Sequence, residues 1–453
     1  MERDRKANQM IDKKQIKGYQ IEDFRLYDLW CFSKGENHFL LADNGCIIIL
    51  NTELMKSIYQ QNPSDALKFK LVQHGLAYIS GKEMFCRKKE IDIRYFIIDL
   101  TKKCNFHCIY CFRDFQNETI ITWEKLKDIL EYILNYCRAN GLRKIGLQVW
   151  GGEPLLAFDR IEYVVKFFSD TELQVTIDIE TNGSLVTEEI ARKLYHMGIQ
   201  VGVSIDGTPQ LQNMQRPFVT GKWSATSVES GIQNLQKYYG KKIGGITVIT
   251  KYNYKYIKEM LDYYIYHLHL SSMKFNLVRD NHHAKEQNLA LTKEETEWFF
   301  QELLSYLQAY HNLGVNFSEG NIEIRANNLL HRSNYSCCIS HGCQGGKHII
   351  SFDRDGNIFP CEMMDFPEEK IGSIYDKEVL DIQIEKAIKE NKFFKKKQEE
   401  KCNHCPWWYY CQGGCSSRNR YLEKDGFVDI TECCINNVVY PQLIEWILDG
   451  YIN

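Results

Sequence analysis

Cysteines carry the clearest chemical signal in this chain. Cys104, Cys108 and Cys111 are separated by three and then two residues in Thr101-Lys102-Lys103-Cys104-Asn105-Phe106-His107-Cys108-Ile109-Tyr110-Cys111-Phe112, just after an apolar run. Structural zinc sites and ordinary ferredoxin clusters are closed by four protein ligands. Three thiolates are one short, which suits a cubane whose last iron stays open to a small molecule. A second concentration lies downstream: the neighbours Cys337 and Cys338, then Cys343, Cys361, Cys402, Cys405, Cys411 and Cys415, and the neighbours Cys433 and Cys434. Seventeen cysteines in a chain whose first ten residues, MERDRKANQM, are too charged for a secretory leader are expected to stay reduced. Clustered thiols then point to metal rather than to disulfides.

The triplet needs a frame, and the pattern from Tyr95 onward provides one. Apolar strand-like runs at 95–100, 144–150, 174–180, 199–205, 243–250 and 272–278 alternate with helical periodicity at 122–140, 158–170, 187–197, 223–239, 253–268 and 292–312. Repeated strand-then-helix units require parallel strands with helices outside. Six of them make a partial (β/α)6 TIM-like barrel rather than the closed eight-stranded form. In such barrels chemistry gathers at the C-terminal ends of the strands, and the triplet follows the first.

Other strand ends carry polar signals. Gly151-Gly152-Glu153-Pro154 closes the second strand, where two glycines let backbone approach a ligand and a carboxylate can accept from an ammonium. Thr181-Asn182-Gly183 follows the third and Ser204-Ile205-Asp206-Gly207 the fourth, both also readable as turn or cap chemistry. Gln215-Arg216-Pro217 lies just beyond.

The CxxxCxxC triplet, with Tyr110 before its third cysteine, resembles the signature of the radical S-adenosylmethionine (SAM) enzymes, and Gly151-Gly152-Glu153-Pro154 resembles their GGEP motif. The resemblance implies that Cys104, Cys108 and Cys111 hold a [4Fe-4S] cluster whose free iron is chelated by SAM. It also implies SAM contacts at Tyr110, Gly151, Gly152, Glu153, Asn182, Ser204, Asp206 and Arg216. Reductive cleavage of SAM then gives methionine and a 5′-deoxyadenosyl radical that abstracts a substrate hydrogen. Downstream, Cys343, twelve residues, Gly356, four residues, Cys361, a gap, then Cys402, Cys405, Cys411 and Cys415, a gap, and Cys433 resemble the SPASM domain. Carried over from that family, Cys337, Cys343, Cys361 and Cys415 hold an inner auxiliary cluster, and Cys402, Cys405, Cys411 and Cys433 an outer one. That makes three [4Fe-4S] clusters with SAM. Cys338 and Cys434 remain alternatives to their neighbours, and spacing selects the first of each pair. Zinc is the competing occupant for an isolated CxxC pair.

The first ninety residues are organised differently. A polar start to about Gly18 precedes aromatic and β-branched runs at 19–32, 37–42 and 46–50, two helical stretches opening at Asn51-Thr52 and Pro63-Ser64, and a return strand at 76–79. By layout alone this resembles a RiPP recognition element, a winged-helix-like domain that binds leader peptides by adding a strand to its sheet. An accessory domain that only packs on the barrel is the plainer reading. Cys31, Cys46, Cys86 and Cys137 sit in apolar contexts and read as packing residues. Pro441 to Leu448 reads as a terminal helix.

The expected α/β architecture is therefore a peptide-binding domain over 1–90, a radical SAM partial barrel over 91–320 and a SPASM domain over 321–453. A net charge of −3 from interspersed charges argues against nucleic acid, and no apolar run is long enough for a membrane span. The expected location is the cytoplasm. Taken together, these resemblances imply an oxidoreductase that matures a ribosomally made precursor peptide, recognised through its leader, by a thioether or carbon-carbon cross-link. Electrons come from a flavodoxin- or ferredoxin-type reductant. The enzyme alternative is an anaerobic sulfatase maturase, which makes formylglycine; its relatives carry an aspartate base where this chain has Glu362 after Cys361, and largely lack the first ninety residues. Glu362 departs from that pattern and is the candidate base for a peptide cross-linking reaction. A non-catalytic iron-sulfur or zinc protein is the remaining alternative.

Overall fold

The structure, a computed structural model, describes residues 11–80, 91–113, 119–240, 243–331, 342–390, 400–420 and 429–452. Its N-terminal strands are β1 (Asp12–Ile16), β2 (Gln20–Ile21), β3 (Phe24–Leu26), β4 (Leu29–Lys34), β5 (Asn37–Ala42), β6 (Ile47–Asn51) and β7 (Ala77–Ile79), with helices Thr52–Tyr59 and Asp65–Gln73 before β7. They form two antiparallel sheets, ordered β1-β4-β5-β6 and β2-β3-β7. Two expectations change here. The polar start contributes an edge strand, because β1 pairs with β4 over its full length, and the run 19–32 is cut into three strands. Both helices open as the caps predict: Asn51 Oδ1 accepts from the Leu54 amide at 3.0 Å and Ser64 Oγ from the Leu67 amide at 3.3 Å.

Alternation in β4 and β5 gives that sheet two different faces. Leu29, Cys31, Leu40 and Ala42 join a small core with Met55, Ile58 and Leu71. Phe32, Phe39 and Leu41 belong instead to the main core. Phe32 stacks on Trp407 at 5.4 Å, and the Tyr410 hydroxyl donates to the Gly45 carbonyl at 3.1 Å. The N-terminal module is thus packed directly on the cysteine-rich region.

The barrel strands are β8 (Tyr95–Thr101), β9 (Lys144–Gly151), β10 (Gln174–Thr181), β11 (Gln200–Ser204), β12 (Gly244–Ile249) and β13 (Ser272–Leu277), all parallel and in sequence order. The sheet continues beyond them. At one edge β14 (Ser318–Glu319) adds a further parallel pair, and at the other β15 (Ile349–Phe352) runs parallel to β8, followed by β16 (Asn357–Phe359) and β17 (Gly372–Ser373) in antiparallel order. The ten-stranded sheet therefore crosses the expected boundary near residue 320. Helices Pro209–Gln215, His282–Glu286 and Gly320–His331 are also additions to the expected units. The last helix is longer than the sequence suggested, spanning Ile430–Leu448 with Pro441 inside it, so it carries Cys433 and Cys434. No helix among the described residues is long and apolar enough to cross a membrane.

Candidate functional site

The triplet loop leaves the end of β8 and is held by the ends of its neighbours. From β9, the Gly152 amide donates to the Thr101 carbonyl at 2.7 Å and the Glu153 amide to the Lys103 carbonyl at 2.9 Å. A Cβ on Gly152 would lie 2.4 Å from the Lys103 oxygen, and one on Gly151 would lie 2.8 Å from that of Thr101. Only glycine permits this approach. From β10, Asn182 Nδ2 donates to Asn105 Oδ1 at 2.8 Å, and Asn105 Nδ2 to Ser184 Oγ at 2.9 Å. The segment after β11 pairs with the loop through the Ile109 amide on the Gln215 carbonyl and the His107 amide on that of Pro217. Phe106 and Phe218 close this edge with rings 4.8 Å apart.

Beneath the loop lies a buried charged network. The Tyr110 hydroxyl donates to Asp206 Oδ2 at 2.6 Å and accepts from Arg216 Nη1 at 2.6 Å. Asp206 Oδ1 also accepts from the Val248 amide, and Asn281 Nδ2 donates to the Tyr110 carbonyl. Glu153 is buried and accepts three hydrogen bonds, from the amides of Leu155 and Asn182 and from Thr181 Oγ1. Both carboxylates are thus engaged by protein donors, which makes them frame for the loop. Ser204, at the end of β11, is half-buried.

The thiols face each other electrostatically. Burial pushes Cys104 up to about 11 and raises Cys108 and Cys111 as well, while Arg216 pulls all three down. A thiolate in so dry a place needs a strong positive partner, which a bound cluster provides. Among the described residues no three His, Cys, Asp or Glu side chains converge as one metal ion requires; a cubane instead takes its thiolates on separate irons. The Arg216 Nε and Gln215 Nε2 beside the loop are buried without hydrogen-bond partners among the described residues. Donor type, glycine cradle and orphaned cationic nitrogen all fit an iron-sulfur cluster with an anionic ligand group.

Downstream the thiols fall into two sets. Cys343 and Cys361 each feel Cys415, and Cys361 also feels Cys343. Cys405 feels Cys402, Cys411 feels Cys433, and Cys433 feels Cys402 and Cys405. Cys434 turns away toward Glu297 and Lys293. Cys337 and Cys338 lie outside the described residues, as does Cys86. Cys31, Cys46 and Cys137 are buried among apolar side chains.

The family profile described as radical SAM superfamily matches residues 98–264, and that described as iron-sulfur cluster-binding domain, SPASM, matches residues 343–406. The chain belongs to the radical SAM superfamily. Its radical SAM segment runs from inside β8 to the helices after β12, and its SPASM segment includes Cys343, Cys361, Cys402 and Cys405. Membership makes the chain an enzyme that uses SAM and [4Fe-4S] clusters. It is 33% identical over 220 residues to an uncharacterized protein of Methanocaldococcus jannaschii, covering 48% of this chain and 72% of that one. It is 24% identical over 368 residues to a cysteine-type anaerobic sulfatase-maturating enzyme of Clostridium perfringens, covering 77% and 95%. Among solved structures, anSMEcpe with bound AdoMet and the Cp18Cys peptide matches with a TM-score of 0.68 at 21% identity, covering 78% of this chain and 99% of that one. SuiB of Streptococcus suis bound to precursor peptide SuiA matches with a TM-score of 0.55 at 16% identity, covering 91% and 99%.

Several residues around this radical SAM site had no sequence signal. Arg113 donates to Asp99 Oδ2 at 3.0 Å in a buried pair, with its guanidinium 5.6 Å from the Trp150 ring. Tyr95 donates to both oxygens of Asp178. Glu180, one alternation along β10 from Asp178, lies within electrostatic reach of Lys274, Glu362, Asp178 and Arg216, and burial pushes its carboxyl up to about 7. Alternating polar residues within apolar strands were the available clue, since in a barrel they point to the lumen.

Proposed function

We propose that this radical SAM protein is a peptide maturase that installs an oxidative cross-link, a thioether or a carbon-carbon bond, in a ribosomally made precursor peptide. In this reading residues 1–90 recognise the leader, 91–320 form the catalytic barrel and 321–453 hold two auxiliary clusters, for three [4Fe-4S] clusters in all. Cys104, Cys108 and Cys111 hold the first. Cys343, Cys361 and Cys415, with Cys337, hold the inner auxiliary one, and Cys402, Cys405, Cys411 and Cys433 the outer. When bound there, SAM and its cluster supply a carbon-centred 5′-deoxyadenosyl radical that removes hydrogen from the substrate.

The chain's own residues then have separable tasks. Gly151 and Gly152 bring the backbone of β9 against the triplet loop, and Glu153 with Asn182 fixes the neighbouring turn. Ser204 offers a hydroxyl at the end of β11. Tyr110, Asp206 and Arg216 hold the loop from below, and Arg216 offsets its thiolate charge. Glu362 accepts the proton released as the new bond forms. Electrons arrive from a flavodoxin or ferredoxin, and the protein works in the cytoplasm.

The N-terminal module carries the peptide-maturase reading. It has a core of its own over residues 16–77, two antiparallel sheets whose edge strands pair with no further strand among the described residues, and a face packed on the cysteine-rich region. The SuiB match takes in more of this chain than the anSMEcpe match, 91% against 78%. SuiB is solved with a precursor peptide. Sulfatase maturation is the second reading, favoured by the match over 95% of the Clostridium perfringens enzyme; Glu362 beside Cys361, where those relatives carry aspartate, stands against it.

The test is anaerobic reconstitution followed by mass spectrometry on a precursor peptide with and without its leader. The expected protein holds about twelve irons and removes two hydrogens per link from the full precursor, with sharply weaker turnover of the leaderless peptide. Equal turnover of both peptides overturns the leader-binding role. Conversion of a sulfatase cysteine or serine peptide to formylglycine establishes the second reading.

A further inference from the structure

Two arginines join the end of β13 to the Cys415 loop in opposite directions. Arg279, two residues past β13, donates from Nη1 to Cys415 Sγ at 3.6 Å and to Ser417 Oγ. Ser417 Oγ in turn donates to the Met363 carbonyl at 3.4 Å, reaching the Cys361 segment. From the other side, Arg418 donates to the carbonyls of Leu277 at 3.0 Å and Val278 at 3.4 Å, and pairs with Asp429 at 3.7 Å. The two side chains do different electrostatic jobs. Arg418 has a carboxylate to offset its charge. Arg279 makes no ion pair with a carboxylate among the described residues; the groups that stabilise its charge are Cys415, Cys361 and, farther down the order, Glu362.

A half-buried guanidinium with no carboxylate in ion-pair contact is costly unless another negative group offsets it, and here the nearest such groups are the thiols of Cys415 and Cys361, with Glu362 behind them. A hydrogen bond and a positive charge at a ligating sulfur stabilise the more negative, reduced state of an iron-sulfur centre. We propose that Arg279 is a positioning residue that raises the reduction potential of the inner auxiliary centre on Cys343, Cys361 and Cys415 and holds that centre against the barrel. It acts through Cys415 and favours the acceptance of one electron from the substrate-derived radical. This inference rests on the assignment of those cysteines as cluster ligands.

The experiment is a redox titration, followed by electron paramagnetic resonance, of the full reconstituted chain and three variants, with iron counted in each. Arg279→Gln removes the charge, Arg279→Lys keeps it but loses the planar fork that serves Cys415 and Ser417 together, and Arg418→Ala removes the opposing staple alone. The expected result is one auxiliary signal shifted to more negative potential in R279Q, shifted less in R279K and unshifted in R418A, with the SAM-binding cluster unchanged throughout. A loaded R279Q that titrates at the wild-type potential overturns the proposal. Should R279Q not take up the centre, R279K decides, and the wild-type potential there overturns it too. A wild-type chain with only about four irons overturns the ligand assignment instead, and is seen before any variant is compared.

Discussion

The triplet loop takes its shape from strand ends that arrive side by side, whereas the downstream cysteines are brought together from segments far apart in sequence. Cys104, Cys108 and Cys111 share one loop, and β9, β10 and the segment after β11 each donate or accept hydrogen bonds along it. Cys343, Cys361 and Cys415 come from segments that the pairing of β15 with β8 and the contacts of two arginines between the Cys415 loop and the end of β13 bring alongside the barrel. Cys433 meets Cys402 and Cys405 from a helix whose Glu432 pairs with the fully buried Arg325. Guanidinium charge stands beside the thiols of both, Arg216 with Arg113 at the triplet and Arg279 at the inner downstream set. The frame differs: one is made by the barrel, the other by staples between the barrel and the cysteine-rich segments.

The strongest way to break this comparison is to remove one thiol from each region. Cys108→Ala should reduce 5′-deoxyadenosine formation, with or without peptide, to below detection. Cys411→Ala should leave SAM cleavage measurable and abolish the cross-linked product, because the barrel frame does not depend on Cys411. Chromatography of the nucleoside beside peptide mass spectrometry separates the two outcomes. Loss of SAM cleavage in C411A shows that the regions are not independent.

Gly152 sharpens the same point at the level of backbone. A methyl group there meets the Lys103 carbonyl oxygen at 2.4 Å, and that atom is main chain that cannot swing aside. Overpacking of this kind costs about 1–3 kcal/mol or more. Gly152→Ala should therefore take up about four irons fewer than wild type while keeping the auxiliary signals, read by iron analysis and electron paramagnetic resonance. Full iron content and wild-type nucleoside yield would show that the loop tolerates displacement.

What the sequence disclosed follows the same division. The triplet, the glycine pair and the six strands were legible because each is a local pattern of spacing or alternation. The grouping of the later cysteines is an expectation from spacing matched to a family, and the side chains show that Cys433 and Cys434 have different surroundings. One faces Cys402 and Cys405, the other Glu297, and two adjacent helix positions must point differently. Three things were not legible. Strand β1 is too polar to announce itself, since its residues are those of an exposed edge. The extension of the sheet by β14 and β15 depends on partners distant in sequence. Arg279 and the Arg113–Asp99 pair are single residues whose meaning comes from what the fold brings to them.

A smaller effect is expected from the phenol under the triplet. Tyr110→Phe removes the hydroxyl shared by Asp206 and Arg216, and among the described residues Asp206 then keeps the Val248 amide alone on its carboxylate. Leaving buried charged groups short of a partner costs about 1–3 kcal/mol. The variant should unfold earlier in anaerobic thermal denaturation, and the downstream region, whose described residues make no hydrogen bond to these three side chains, should keep its auxiliary signals. An unchanged melting temperature would mean that the Asp206–Arg216 pair closes directly once the hydroxyl is gone.

The mildest test lies in the lumen between the two regions, at Glu180. Burial is the main cause of its raised carboxyl, about 7 against an ordinary 4.5; Glu362 and Asp178 push the same way, while Lys274 and Arg216 oppose. The folded chain then holds this proton more tightly than the unfolded chain does. Between about pH 4.5 and 7 the native state binds more protons, so stability is greatest below that window and falls as pH rises through it. The full shift corresponds to at most about 3–4 kcal/mol, and because the side chain keeps some contact with solvent, on the order of 1 kcal/mol is expected. Glu180→Gln carries no titrating proton, so its melting temperature should fall less than that of wild type between about pH 5 and pH 8. Parallel curves for the two proteins would place Glu180 in open solvent, and would remove it from the set of lumen charges that link the barrel to Glu362.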